Sequence, residues 1–290
     1  MNKTSIRIGG VTEHFNLPWN IAVENNVFLQ ADIDLKWQFF PGGTGVMTEA
    51  LRSGELDMAI LLTEGFLSAA SRGLPAKIVK EYITSPLGWG IFTGKNSGLG
   101  SVYSRAQKKY AISKLGSGSH LMAMIHAEQR GEKISESALI EVRSIEGAVE
   151  SLTHNETNVF YWEKYTTKPF VNSGQLKMIG EFSAPWSSFL IVATNDVLHT
   201  QKEKIHAVLE IINTESKRFA SSATSVSLLM SRFAMSENDA INWLNSTIWS
   251  GDYTIRQQGL ENAKQALIKI GNTNHQIHVR NYCANFVELI

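Results

Sequence analysis

The chain has 290 residues, 43% of them hydrophobic and 19% charged, with 27 Lys and Arg balanced by 27 Asp and Glu. That length buries a large core in one large or two ordinary domains; the composition excludes disorder, and the charge balance leaves no basic excess for nucleic acid or an anionic membrane. The lone Cys283 excludes an internal disulfide and a cysteine-based metal site, and no apolar run reaches the roughly 20 residues that span a bilayer.

The opening "MNKTSIRIGG" passes from a short polar start into a strand without the apolar core of a secretory signal. As it stands the sequence is expected in the cytoplasm; a removed leader would make it periplasmic or lipid-anchored. "SIRIGGV" is a strand ending in glycine, and "LPWNIAVENNVF" starts a helix at Pro18 with Ala22, Val23 and Val27 on one face. "IDLKWQFF" alternates Ile33, Leu35, Trp37 and Phe39 as a strand does, so Trp37 is expected in the core. In "FPGGTGVMTEALRSGELDMAI", Thr44 caps a helix to Ser53, Gly54 stops it, and "LDMAIL" is a buried strand. A helix over 64–72 follows, closed by Gly73, and then the strands "KIVKEYI" and "GWGIFTG".

The pattern loosens through "GKNSGLGS" and restarts: strand "YAISKL", turn "GSGSH", helix "LMAMIHAEQR", strand "LIEVR", helix "IEGAVESL", strand "NVFYW". After "SAPWSSF" come the strand "LIVATN" and a helical remainder in which Ser236 and Asp239 form a capping box and "LENAKQALIKI" has helical spacing. Alternating strands and helices predict an α/β fold of parallel strands with crossover helices.

The glycine turns match no enzyme motif. A phosphate loop ending at Gly94 needs glycine where Trp89 stands and Ser or Thr where Asn96 stands; "GSGSHL" has Leu121 in place of the third dinucleotide glycine; no Gly-x-Ser-x-Gly elbow occurs. His275 and His278 lack a third ligand, so they read as surface and no metal or cofactor is expected. What the glycines offer is backbone approach to a ligand at helix N-termini, at the carboxyl ends of strands where open α/β sheets bind. In that reading Gly42 and Gly43 admit a small ligand while Thr44 offers its hydroxyl.

"HFNLPWNIAVENNVF", "FPGGTGVMTEALRSGELDMAI", "SKLGSGSH" and "VFYWEKYTT", in that order, resemble the type 2 periplasmic-binding-protein superfamily, in its branch for nitrate, alkanesulfonate, taurine and thiamin-pyrimidine precursors. The resemblance implies a two-lobed, flytrap-like α/β fold: lobe 1 from 1–93 and 188–290, lobe 2 from 94–187, crossings near Thr93 and Ser187, and a helical tail on lobe 1. It implies no catalysis, and as partners a small-molecule ligand and an ABC transporter permease; a monomer that does not insert into membranes is expected. The ligand-binding residues it nominates are Asn16, Trp19, Gly43, Thr44, Thr63 and Glu64 from the first lobe, with Ser117, Ser119, His120, Trp162 and Glu163 from the second. Many relatives carry proline where this chain has Lys164, which bears on how Glu163 is presented.

None of the nominated residues is Arg or Lys. With Glu64 and Glu163 in the cleft and Trp19, Trp89, Trp162 or Trp186 as stacking rings, an aminopyrimidine or amine is expected over a sulfonate or nitrate. The alternative is an enzyme on this scaffold, similar to the pyrimidine-forming branch with its pyridoxal cofactor, iron and cysteine-rich segment; Cys283 alone cannot supply that segment.

Overall fold

The computed structural model describes residues 5–273 and 278–290. The first part of the chain forms β1 (Ile6–Gly10), α1 (Leu17–Glu24), α2 (Val27–Gln30), β2 (Leu35–Phe39), α3 (Gly43–Ser53), β3 (Met58–Leu62), α4 (Thr63–Ser71) and β4 (Ala76–Ile83). Next come β5 (Gly88–Gly94), β6 (Tyr110–Ile112), α5 (Gly118–Gln129), β7 (Leu139–Glu141), α6 (Ile145–Thr153), β8 (Val159–Glu163), α7 (Lys164–Asn172) and β9 (Leu176–Ser183). The remainder is β10 (Phe189–Thr194), α8 (Asn195–Thr200), α9 (Lys202–Ser221), α10 (Ser225–Phe233), α11 (Glu237–Ser246), β11 (Thr254–Ile255), α12 (Gln257–Lys269) and β12 (Glu288–Leu289).

Two five-stranded sheets organise these elements, in the orders β2-β1-β3-β10-β4 and β7-β6-β8-β5-β9. β3 and β10 run through the first sheet as continuous buried apolar stretches, the pattern of strands covered on both faces. Each such Leu, Ile or Val contributes roughly 1.5–3 kcal/mol by leaving water. Strand direction corrects the all-parallel expectation. β10 lies antiparallel between β3 and β4, and β5 antiparallel between β8 and β9, because each crosses from one sheet to enter the other.

Those pairings locate the crossings at 84–87 and 184–188. The second contains Ser187. The first lies ahead of Thr93, since β5 hydrogen-bonds wholly within the second sheet. The tail packs on the first lobe through α9 against α1 and α2, while α12 touches both α4 and α5, so it reaches the second lobe as well. Ser236 caps α11 as expected, accepting from the Asp239 amide at 3.2 Å. Trp37 packs partly buried against the core and Phe39 is exposed, at the end of an edge strand. His278 is exposed; its companion His275 lies outside the described residues.

Candidate functional site

Where the carboxyl ends of β1, β3, β6 and β8 face one another, the chain forms a cavity of about 40 Å³ between the sheets. The first lobe contributes Val11 and Glu13 after β1, Gly42, Gly43 and Thr44 at the start of α3, and Leu62 at the end of β3. Ser113, Ser117, Gly118 and Ser119 around the start of α5, and Trp162 and Glu163 at the end of β8, come from the second. Leu87, Trp89 and Phe189, in and beside the crossings, close the wall.

Backbone conformation explains the glycine turn. Gly43 has φ +70°, in the left-handed region that disfavours side chains, and a Cβ at Gly42 would stand 2.5 Å from Val46 Cγ2. Thr44 does not cap α3; Gly42 holds the cap position, and Thr44 Oγ1 accepts from the Leu62 amide at 3.0 Å, tying α3 to the end of β3. Across the cavity Ser117 caps α5, accepting from the His120 amide at 3.4 Å, and its hydroxyl lies 3.1 Å from that of Ser119. Ser119 Oγ also accepts from the Ser113 amide at 2.9 Å, so the hydroxyls form a short chain along the wall.

Glu163 is 4% exposed and caps α7: its Oε2 accepts from the Thr166 amide at 2.6 Å and the Thr166 hydroxyl at 2.8 Å. Burial nevertheless raises its pKa to about 7. Glu13 is raised to about 8, first by burial and then by the neighbouring Glu163 charge. His14 brings Nε2 to 3.6 Å from Glu163 Oε2, but burial lowers its pKa to about 3, so it stands neutral beside the carboxyl. Trp243 of the tail stacks on that imidazole with centroids 4.6 Å apart, fixing its plane. Lys164 turns away to pair with Glu181 at 2.8 Å, so its replacement of proline leaves Glu163 on the cavity wall.

Of the nominated residues, Gly43, Thr44, Ser117, Ser119, Trp162 and Glu163 meet on this wall. The others serve nearby. Asn16 donates Nδ2 to the Val11 carbonyl at 2.9 Å and so shapes the loop carrying Glu13. Trp19 is buried in the core between Phe28 and Trp37. Thr63 Oγ1 donates to the Ser187 carbonyl at 2.5 Å, and Glu64 Oε2 accepts from Trp186 Nε1 at 2.9 Å, so both hold the second crossing. His120 Nδ1 accepts from the Gly116 amide at 3.0 Å and braces its own turn. The acid that joins Glu163 on the cavity is therefore Glu13, not Glu64. Its position just past the first strand was the available signal. Leu62, Leu87, Ser113, Gly118 and Phe189 were also passed over.

Two sheets joined by two crossings around a cleft define the two-lobed fold of the type 2 periplasmic binding proteins. Within that fold, residues 89–182 match the family described as Ca3427-like PBP. The chain is similar to the Candida albicans CA3427 gene product, described as defining a new family with the generic periplasmic binding protein fold, at 21% identity over 99% of this chain and 98% of that one, with a TM-score of 0.88. It is also similar to the alkanesulfonate-binding protein SsuA of Xanthomonas axonopodis pv. citri at 14% identity, 97% and 98% coverage and TM-score 0.80. For the periplasmic nitrate-binding protein NrtA of Synechocystis the values are 14%, 97% and 85%, and 0.73. Among curated proteins none matches the sequence.

Proposed function

We propose that this protein is a non-enzymatic ligand-binding clamp whose cleft takes the cationic nitrogen of a small organic amine. One observation carries the reading: Glu13 and Glu163 line the same cavity, and no Lys or Arg among the described residues lines it. Carboxyls raised by burial, and Glu13 further by the Glu163 charge, regain a partner when a cation enters, whereas an anion would meet them as repulsion. Trp89 and Trp162 add aromatic surface on which an ammonium group can lie. A cavity of about 40 Å³ admits such a head with the lobes as they stand, while an aminopyrimidine ring requires them to part.

Similarity to alkanesulfonate- and nitrate-binding proteins supports a receptor that feeds an ABC transporter permease over a carrier within the cytoplasm. The enzyme alternative needs a cleft lysine for imine chemistry, and the cavity is lined by carboxyls, hydroxyls, indoles and aliphatic groups.

A second reading has its own observation, since the N-termini of α3 and α5 present Gly43 and Gly118 to the cavity and helix N-termini favour anions. Calorimetry in buffers of different ionisation enthalpy separates the two. Amines, aminopyrimidines, taurine, alkanesulfonates and nitrate are titrated at pH 7.5. The expected result is that amines bind with release of protons, as the carboxyl pKa values fall, and that Glu13→Gln and Glu163→Gln each weaken binding at least about tenfold, or about 1.4 kcal/mol. Binding confined to sulfonates or nitrate, with proton uptake, would overturn the amine reading.

A further inference from the structure

We propose that the ligand carries two cationic groups, the second held in an outer chamber that opens from the first and ends at Glu146. The inference rests on the amine reading above and extends it. Its basis is a cavity of about 350 Å³ that shares Val11, Glu13 and Trp162 with the inner one and is lined further by Glu146, Thr166 and Phe170.

The two chambers differ in size and in chemistry. The inner, at about 40 Å³, has room for an ammonium head and little more, so the body of the ligand lies in the outer one. Trp162 stands in both linings, with Nε1 buried and without a hydrogen-bond partner, and its ring offers the partition a flat apolar face for an alkyl stem. Glu13 belongs to both linings too, so one carboxyl serves the junction where the stem leaves the head. Beyond it the outer lining carries Glu146 and, among the described residues, no Lys or Arg.

Glu146 lies in the first turn of α6, where Ser144 Oγ already accepts from the Gly147 amide at 3.2 Å. The serine and the carboxylate together offset the helix end that would otherwise attract an anion. Acidic groups lining two adjoining, partly apolar cavities fit an α,ω-diamine or polyamine, whose charges are separated by methylenes. The repulsion between two such charges favours the extended form that spans both chambers.

The test is calorimetric titration of the full chain with 1,3-diaminopropane through 1,6-diaminohexane and with the monoamine of matching length, in wild type and Glu146→Gln. The expected result is a diamine of optimum length binding at least about tenfold more tightly than its monoamine. Glu146→Gln should remove that advantage and leave monoamine affinity unchanged. Since Glu146 is exposed and makes no packing contribution to the core, circular dichroism of the variant should match wild type. Equal binding of mono- and diamines, or a diamine advantage that survives Glu146→Gln, overturns the outer subsite while leaving the amine reading in place. Failure of every amine to bind overturns both.

Discussion

Glu13 meets the Glu163 charge in a site where burial already disfavours ionisation of both, and Glu64 meets the same desolvation at the second crossing. Their pKa values of about 8, 7 and 7 make the folded chain bind more protons than the unfolded one between the ordinary carboxyl range and pH 8. Each therefore contributes stability that is present at acid pH and lost as pH rises through the folded value. His14 and His126, lowered to about 3 and 4, act in the opposite sense, but only below the ordinary histidine pKa of about 6.5. Lys80, lowered to about 8, changes stability above that pH. Between pH 6.5 and 8 the carboxyls dominate, so the ligand-free protein should lose roughly 3 kcal/mol, or roughly 5–10 °C in melting temperature. Glu163→Gln keeps an acceptor for Thr166 while removing the titration, and should flatten the profile by calorimetric melting; an unchanged slope would show that the carboxyl ionises freely in the fold. At this scale the place of Glu163 on the cavity wall was legible, because it ends a buried strand. Glu13 escaped because "VTEH" carries no periodicity, and Glu64 misled because its place at a helix start resembles Glu163's while its carboxyl turns to Trp186.

Helix starts bring the two lobes together. Gly118 opens α5 on the second lobe, and a Cβ there would stand 2.4 Å from Leu62 Cδ1 of the first lobe and 2.7 Å from Trp89 Cη2. Gly118→Ala should therefore wedge the lobes apart at the cavity. A loss of affinity of about tenfold or more is expected, with a change in melting temperature of only a few degrees, because the added methyl meets side chains at a cleft and not backbone in the core. Full affinity by calorimetry would mean that Leu62 and Trp89 yield without opening the cleft. Most elements were legible from apolar spacing and from glycines that stop helices: Gly54 and Gly73 have φ +76° and +79° after α3 and α4. α7 and β9 were not. Pro169 interrupts the pattern of α7, and β9 lies at the sheet edge with only Leu176 fully buried, so neither shows a clean period. Strand direction was hidden for another reason. A buried strand reads the same whichever way it runs, and only pairing partners far away in sequence fix the direction of β5 and β10.

The whole molecule turns on two short crossings, and polar contacts brace them against the first lobe and against each other. Ser187 donates to Glu81, Ser188 to the Ser85 carbonyl, Thr63 to the Ser187 carbonyl, and Trp186 to Glu64. Any rotation of one lobe against the other turns about 84–87 and 184–188. Trp186→Phe keeps most of the ring but removes the donor, leaving Glu64 buried without its indole partner; Oε1 of that carboxyl already lacks one. A loss of about 1–3 kcal/mol in folding stability follows. If the pair acts as a unit, Glu64→Leu combined with Trp186→Phe costs less than the two singles added, with a coupling of about 1 kcal/mol by denaturant unfolding; simple additivity would assign the crossing's rigidity to the serines and Thr63 instead. The cleft contacts are untouched by that pair. In the proposed amine complex the cationic head would bridge Glu13 of the first lobe and Glu163 of the second, so a bound amine would hold the lobes together. A saturating amine should then reduce the radius of gyration in small-angle scattering, and superimposable curves with and without it would mean that the lobes do not rotate on binding.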